Sequence, residues 1–241
     1  MSFSPKNRVL ISPSQLSAVP SSLRSHLSAM VCSKAVDALI SVLITGNVTF
    51  SAMDGSPKSK SFPVTKGDTM SLAFTVDPEA LVRDITGQGI VTDGISPYTV
   101  CSEDFSLTFG SGMPFYLGPP PVTFDGTVGA FWFALAKSRP VYDGAYLSTD
   151  YALGSAGVPL IAHGAPPKQT YNGVFDLTFQ RGTLETTDAV GAAGTYGDHS
   201  LVKSELKISR NWAANEIISI SLHKMKIGPA TGVKRVVVPV D

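Results

Sequence analysis

Four histidines and a scatter of carboxylates are the residues of this chain most able to do chemistry. His26, His163, His199 and His223 stand far apart. None forms a His-x-His or His-Glu-x-x-His pair, so a metal site has no local support. Asp198-His199 is the single adjacent acid–imidazole couple. Neighbours on an extended chain point in different directions, so the couple reads as a polar loop tip rather than a catalytic dyad. Asp93, Glu103, Asp104, Asp125, Asp143 and Asp150 lie in or beside loops. Two of them could converge as a glycosidase pair does, but most read as solvated or capping groups. Gly154-Ser-Ala-Gly157 lacks the spacing of a serine nucleophile elbow. Gly87-Gln-Gly89 and Gly110-Ser-Gly112 lack the third glycine of a phosphate loop, and no Gly-Lys-Ser/Thr is present. The chain does not read as an enzyme, and no catalytic residue, metal or cofactor is expected.

Binding residues are better represented. Trp212 sits in Asn211-Trp-Ala-Ala-Asn215 between two strand patterns. A tryptophan at such a turn either folds back on the sheet edge or is offered to a partner. Tyr142, Tyr146 and Tyr151 fall in a long irregular stretch and are further candidates for interaction. Lys203, Lys207, Arg210, Lys224 and Lys226 lie on the wet faces of the last strands. They read as a solvated, edge-protecting row, with a polyanion-facing surface as the sharper alternative. Near the other end, Lys6, Arg8, Arg24 and Lys34 stand in residues 1–34 with no acid among them. Residues 203–241 carry seven bases and three acids, and the middle of the chain is acidic enough to bring the net charge to zero. No dense basic stripe of the kind that marks a strong nucleic-acid footprint is present.

Composition points to many short strands. Charged residues make up 16% of the chain and apolar residues 43%, which leaves a large core and much neutral, hydroxyl-rich surface. The 22 glycines and 17 prolines are spread along it, favouring turns over long helices. Cys32 and Cys101 make no framework and read as two buried free thiols, with one bridge the alternative. The first nine residues lack the apolar region of a signal peptide. The apolar runs Ala38–Ile44 and Ala130–Ala136 are too short to span a bilayer. Both observations suit a soluble protein made in the cytosol. Asn47-Val-Thr reads as a chance glycosylation sequon.

The elements that must position these residues follow from periodicity. Residues 1–20 read as a flexible arm and 21–43 as an amphipathic helix or linker, with Leu39–Ile44 equally compatible with a first strand. Residues 44–241 form one β domain. Val48 and Phe50 alternate with polar residues, and Lys58–Val64 is a candidate hairpin partner across Asp54-Gly55. Met70, Leu72, Phe74 and Val76 line one face of a clear strand, as do Phe105, Leu107 and Phe109. Asp77-Pro78-Glu79 has the chemistry of a helix start, predicting a short helix to about Ile85. Residues 110–121 and 137–172 read as loops, the latter long enough to be an interaction loop. Val128–Ala136 reads as a strand buried on both faces, with Trp132 in the core. Val174–Gln180 is a strand with Thr183–Thr187 as a possible partner, and Gly191–Gly197 a small-residue loop. In the closing strands, Ile218, Ile220 and Leu222 share one parity and Met225 and Ile227 the other, which predicts a β-bulge at His223. No internal repeat is present. The sum is an all-β fold of about eight to ten strands whose long connections favour a Greek-key or jelly-roll sandwich over a meander.

This order of parts, a polar arm at Met1–Pro20, a helix or linker at Ser21–Leu43 and a β domain to Asp241, resembles the jelly-roll coat proteins of small non-enveloped viruses. The resemblance is architectural and spans the whole chain without a diagnostic motif or an Arg-rich arm. It implies a structural protein, many copies of which form a virion shell around an RNA genome after synthesis in the host cytoplasm. It also implies that Lys6, Arg8, Arg24 and Lys34 face the nucleic acid and that no membrane is involved. The competing readings are a lectin-like or pore-forming β-sandwich, using Trp212 and the tyrosines for stacking, and a viral movement-type RNA-binding protein.

Overall fold

The computed structural model describes residues 38–52, 64–81, 94–110, 112, 114–118, 131–139, 142–149, 158–162, 171–210 and 217–230. The arm at 1–20 and the helix expected from residue 21 fall outside these, up to residue 37. From Ile40 the chain is strand, which settles the ambiguity at Leu39–Ile44.

The strands are β1 (Ile40–Ser51), β2 (Thr69–Leu81), β3 (Ile95–Phe109), β4 (Pro114–Leu117), β5 (Phe131–Arg139), β6 (Tyr142–Thr149), β7 (Val158–Ala162), β8 (Tyr171–Phe179), β9 (Gly194–Gly197), β10 (Leu201–Arg210) and β11 (Ile217–Pro229). All pairings are antiparallel. Following them round gives β1-β2-β3-β5-β6-β8-β10-β11 and back to β1, a closed eight-stranded barrel. The long β3 changes partner midway. Its first half pairs with β5, at Ile95–Thr99, and its second half with β4, at Leu107 and Thr108. On the far side β8 does the same, with β7 at Tyr171–Gly173 and β6 at Phe175–Phe179. At one end of the barrel β5 and β6 fill the gap between β3 and β8; at the other end β4 and β7 fill it.

With β4, β7 and β9 set aside, the strands of this ring follow one another in chain order, so the ring is a meander, while β4 and β7 pair across the intervening β5 and β6. The Greek-key crossing expected from the long connections is not found among the described strands. Long connections do not force a crossing, because the cost of closing a loop grows only logarithmically with its length. Residues 52–68 separate β1 from β2, yet the two strands pair directly.

Alternation accounts for the core. Val42, Ile44 and Val48 of β1, Met70, Leu72, Phe74 and Val76 of β2, and Phe105, Leu107 and Phe109 of β3 all point inward and are buried, as their spacing predicts. Aromatic rings run the length of the interior. Phe109 meets Phe115 edge-on at 5.8 Å, and Phe115 meets Tyr171 at 5.4 Å. Phe74 lies 6.3 Å from Phe105 and 5.3 Å from Phe133, and Phe179 lies 5.8 Å from Tyr196. The void left among Leu72, Phe105, Leu160, Phe175 and Leu206 is about 10 Å³, no more than one water could occupy.

Several local expectations are corrected. Asp77-Pro78-Glu79 starts no helix; it lies within β2, where register with β3 is lost between Val76 and Leu81. Asp77 Oδ1 accepts the Glu79 N–H at 2.9 Å, the bond an N-cap would make, here closing an irregular bulge that tolerates proline. The 110–121 segment contains β4, and 137–172 contains β6, β7 and the start of β8. Their glycines and prolines masked an alternation that the paired neighbours enforce. Phe133, Ala134, Leu135 and Ala136 are buried on both faces as expected, but Trp132 is only partly buried. Thr183–Thr187 forms no strand, and Gly194–Gly197, expected as loop, is β9. Residues 58–63 of the expected hairpin partner lie outside the described residues, whereas Lys66-Gly67-Asp68 turns as predicted, with Gly67 at φ 98. Cys101 is not a free thiol; it is fully buried and disulfide-bonded. It sits with Leu39 and Ala230 in a small cluster separate from the main core.

Residues 180–193 close the end where β5 and β6 lie, contributing Leu184, Ala189 and Ala192 to the main core. Fully buried Asp143 accepts the Leu184 N–H at 2.8 Å. The Tyr98 hydroxyl donates to the Thr187 carbonyl at 2.8 Å and accepts from the Ala189 N–H at 3.0 Å. Burial pushes the Tyr98 phenol above its ordinary value of 10.0, against an opposing effect of the Ala189 bond. Burial also raises the Tyr196 phenol. The native phenols therefore hold their protons more tightly than the unfolded ones. The stability they contribute is full below pH about 10 and is lost as pH rises through and past that value. Ultraviolet titration at 295 nm is expected to show late-ionising tyrosines that Tyr98→Phe and Tyr196→Phe remove. Asp143→Ala is expected to lower stability by about 1–3 kcal/mol, the cost of leaving the buried Leu184 N–H without its acceptor. Amide exchange at Leu184 is expected to quicken before that of β1 and β2; unchanged exchange there would show that this bond does not hold the cap.

Candidate functional site

The predicted bulge is the origin of the most distinctive surface feature. Ile218, Ile220 and Leu222 face inward, and so do Met225 and Ile227, leaving His223 as the extra residue. Against β1, Thr45 pairs with Lys224 but Gly46 already pairs with Leu222, so His223 has no partner residue. Backbone crowds in from both sides to accommodate it. A Cβ on Gly46 would stand 2.3 Å from the Ser221 carbonyl oxygen, and one on Gly197 of β9 would stand 2.5 Å from the His223 carbonyl oxygen. Only glycine fits at either position.

Beside the bulge lies an open groove of about 490 Å³ on the outside of β11, β1, β2 and β3. Thr45, Asn47, Thr69, Ser71, Thr108 and His223 line it over a floor that includes Met70 and Phe109. The Thr108 hydroxyl donates to the Ser71 carbonyl at 3.4 Å, leaving its lone pairs for an incoming donor. No carboxylate lines the groove. Lys224 and Lys226 stand beside it, opposite Thr45 and Leu43 on β1, and both are exposed. Directly paired residues project from the same face of a sheet, so these lysines share the groove's face. Hydroxyls, an amide, an imidazole and two ammonium groups can hold a polar ligand with negative charge. They do not compose a nucleophile with its base, and no cluster of metal-ligating side chains occurs among the described residues.

The structure divides the sequence-predicted candidates. Lys203 is ion-paired with Asp176, and Lys207 with Glu205 at 3.1 Å. Lys224 and Lys226 have no carboxylate within ion-pair reach among the described residues. The backbone of Arg210 pairs with Tyr171. Tyr142 opens β6 and is exposed, and Tyr146 pairs with Ala134 and Asp176 inside the same strand, so both belong to the barrel wall and not to a loop. Lys6, Arg8, Arg24, Lys34, Tyr151, Trp212, His26 and His163 lie outside the described residues. His199 occupies an exposed 3-10 turn at Asp198–Ser200, as a loop tip would. Asp104 accepts the Thr75 hydroxyl at 2.6 Å and Asp143 holds the end cap, so both buried carboxylates hold parts of the fold together. The groove's hydroxyls were missed because Ser and Thr on a wet strand face look the same whether or not the surface is concave. The parity slip at His223 was the one available signal.

Compared with protein families, curated proteins and solved structures, the chain has no match.

Gly46→Ala is expected to destabilise the barrel by about 1–3 kcal/mol or more through overpacking. Gly67→Ala, at positive φ in open space, is expected to lose about 1 kcal/mol. Chemical denaturation of the two variants measures the difference; an unaffected Gly46→Ala protein would refute the close approach at the bulge.

Proposed function

We propose that this chain is a structural coat protein, many copies of which assemble into a shell around a nucleic-acid genome. The observation that carries the reading is the solid barrel. The void among Leu72, Phe105, Leu160, Phe175 and Leu206 in its interior is only about 10 Å³, which suits a rigid block better than a container. Small-molecule pockets usually run to several hundred Å³ and bury most of their ligand, far more than this void holds.

The outside supports the same reading. Leu43 and Phe50 on β1 are 38% and 54% exposed, Val174 on β8 is 40% exposed and Val202 on β10 is 48% exposed. They are spread over three strands, β1, β8 and β10. Singly exposed apolar residues are ordinary, but several of them round a closed barrel suit contact with several neighbours at once. The wiring of the barrel is a meander, so support comes from its rigidity and its neutral walls rather than from a jelly-roll connection.

Light scattering and negative-stain microscopy of the purified protein are expected to show large, uniform particles. A monodisperse monomer at micromolar concentration in both low and moderate salt would overturn the reading. Phe50→Lys and Val174→Lys are expected to shift particles toward small oligomers while circular dichroism and thermal midpoint stay close to those of the parent.

A further inference from the structure

We infer that the face of β11 and β1 around the His223 bulge is a contact surface for the sugar–phosphate backbone of single-stranded nucleic acid. The inference deepens the coat reading by naming where a genome would touch the barrel, and it rests on that reading for the choice of polyanion.

Position within the sheet carries the first part. A lysine row can serve simply to keep a sheet edge from pairing with another chain. β11 is no edge: it pairs with β1 along one side and with β9 and β10 along the other. Lys224 and Lys226 therefore need another reason to stand together. Charge carries the second part. Lys203 and Lys207, on neighbouring β10, are ion-paired with Asp176 and Glu205, whereas Lys224 and Lys226 have no carboxylate within ion-pair reach among the described residues. Lys66 is exposed on the turn that enters β2, beside Asp68, whose carboxylate accepts from the Thr65 N–H and hydroxyl.

Geometry supplies the third part. Lys224 and Lys226 are two residues apart on one strand, about 6.8 Å along the sheet, a spacing that successive phosphates of an extended strand can match. The groove beside them presents Thr45, Asn47, Ser71 and Thr108, groups that donate and accept hydrogen bonds as sugar hydroxyls and phosphate oxygens require. Phe109 is buried in its floor, so bases have no ring to stack on there and binding is expected to be indifferent to sequence.

Filter binding of the full chain to a 20-nucleotide oligouridylate, titrated with salt, tests the inference. Lys224→Glu with Lys226→Glu is expected to weaken binding at least tenfold at low salt. The slope of log K against log salt should fall by about 1.4, at about 0.7 for each phosphate no longer neutralised. Lys203→Glu with Lys207→Glu makes the same change in net charge and is expected to alter affinity less than twofold. Equal weakening by both pairs, or none by the first, would overturn the inference. Retained circular dichroism in both variants excludes misfolding. Particle sizing on the same samples separates this inference from the one beneath it. Particles that bind oligouridylate independently of Lys224 and Lys226 would sink this site and leave the coat reading standing. Monomers whose binding depends on them would do the reverse.

Discussion

The pairing of the first described strand with the last holds this molecule closed. β1 and β11 run together from Ile40 against Pro229 to Ser51 against Ile218. Without that pairing, both strands would present a row of unsatisfied backbone groups, and the sheet would be open to addition of another chain. With it, every strand of the ring has a neighbour on both sides. Closure also defines an inside, and only then does alternation along each strand become a filled core. The cost falls on folding: contacts between residues so far apart in sequence form late and slowly.

Closure imposes a second requirement, that eight positions be filled at both ends of the barrel. β3 and β8 meet it by changing partners midway, with β5 and β6 at one end and β4 and β7 at the other. Two aromatic groups mark the two regimes. Phe109, Phe115 and Tyr171 fill the end walled by β4 and β7, and Phe179 with Tyr196 fills the end walled by β5 and β6, under the cap of residues 180–193. The cap has no regular structure of its own. Side chains of Tyr98 and Asp143 satisfy its buried amides, which explains why so irregular a segment can join the core.

The surface follows from the same closure. A bulge at His223 lets β11 keep its apolar residues inward across a change of parity, and the bulge throws an imidazole and two lysines onto the outer face beside a hydroxyl-lined groove. The proposed roles, a rigid block for assembly and a contact for nucleic-acid backbone, both draw on the tightly packed core and on the outer face that closure creates.

What the sequence determined by itself was local and periodic. The inward sets Met70–Val76 and Phe105–Phe109 were legible because a strand's side chains alternate with period two, and the bulge was legible because one extra residue flips that parity. Partners were not legible. Nothing in β4 or β6 announces a strand, since proline and glycine weaken the pattern and it is pairing with β3 and β7, or with β5 and β8, that holds the chain extended there. The N-cap chemistry of Asp77-Pro78-Glu79 was real, but a carboxylate accepting an amide two residues on serves a bulge as well as a helix. Tertiary structure alone decided that the sheet closes as a meander, that Lys224 and Lys226 lie on an interior strand rather than an edge, and that their neighbours form a groove. Each of those is a relation between residues far apart in the chain, and the period of a single strand carries no information about which strand will lie beside it.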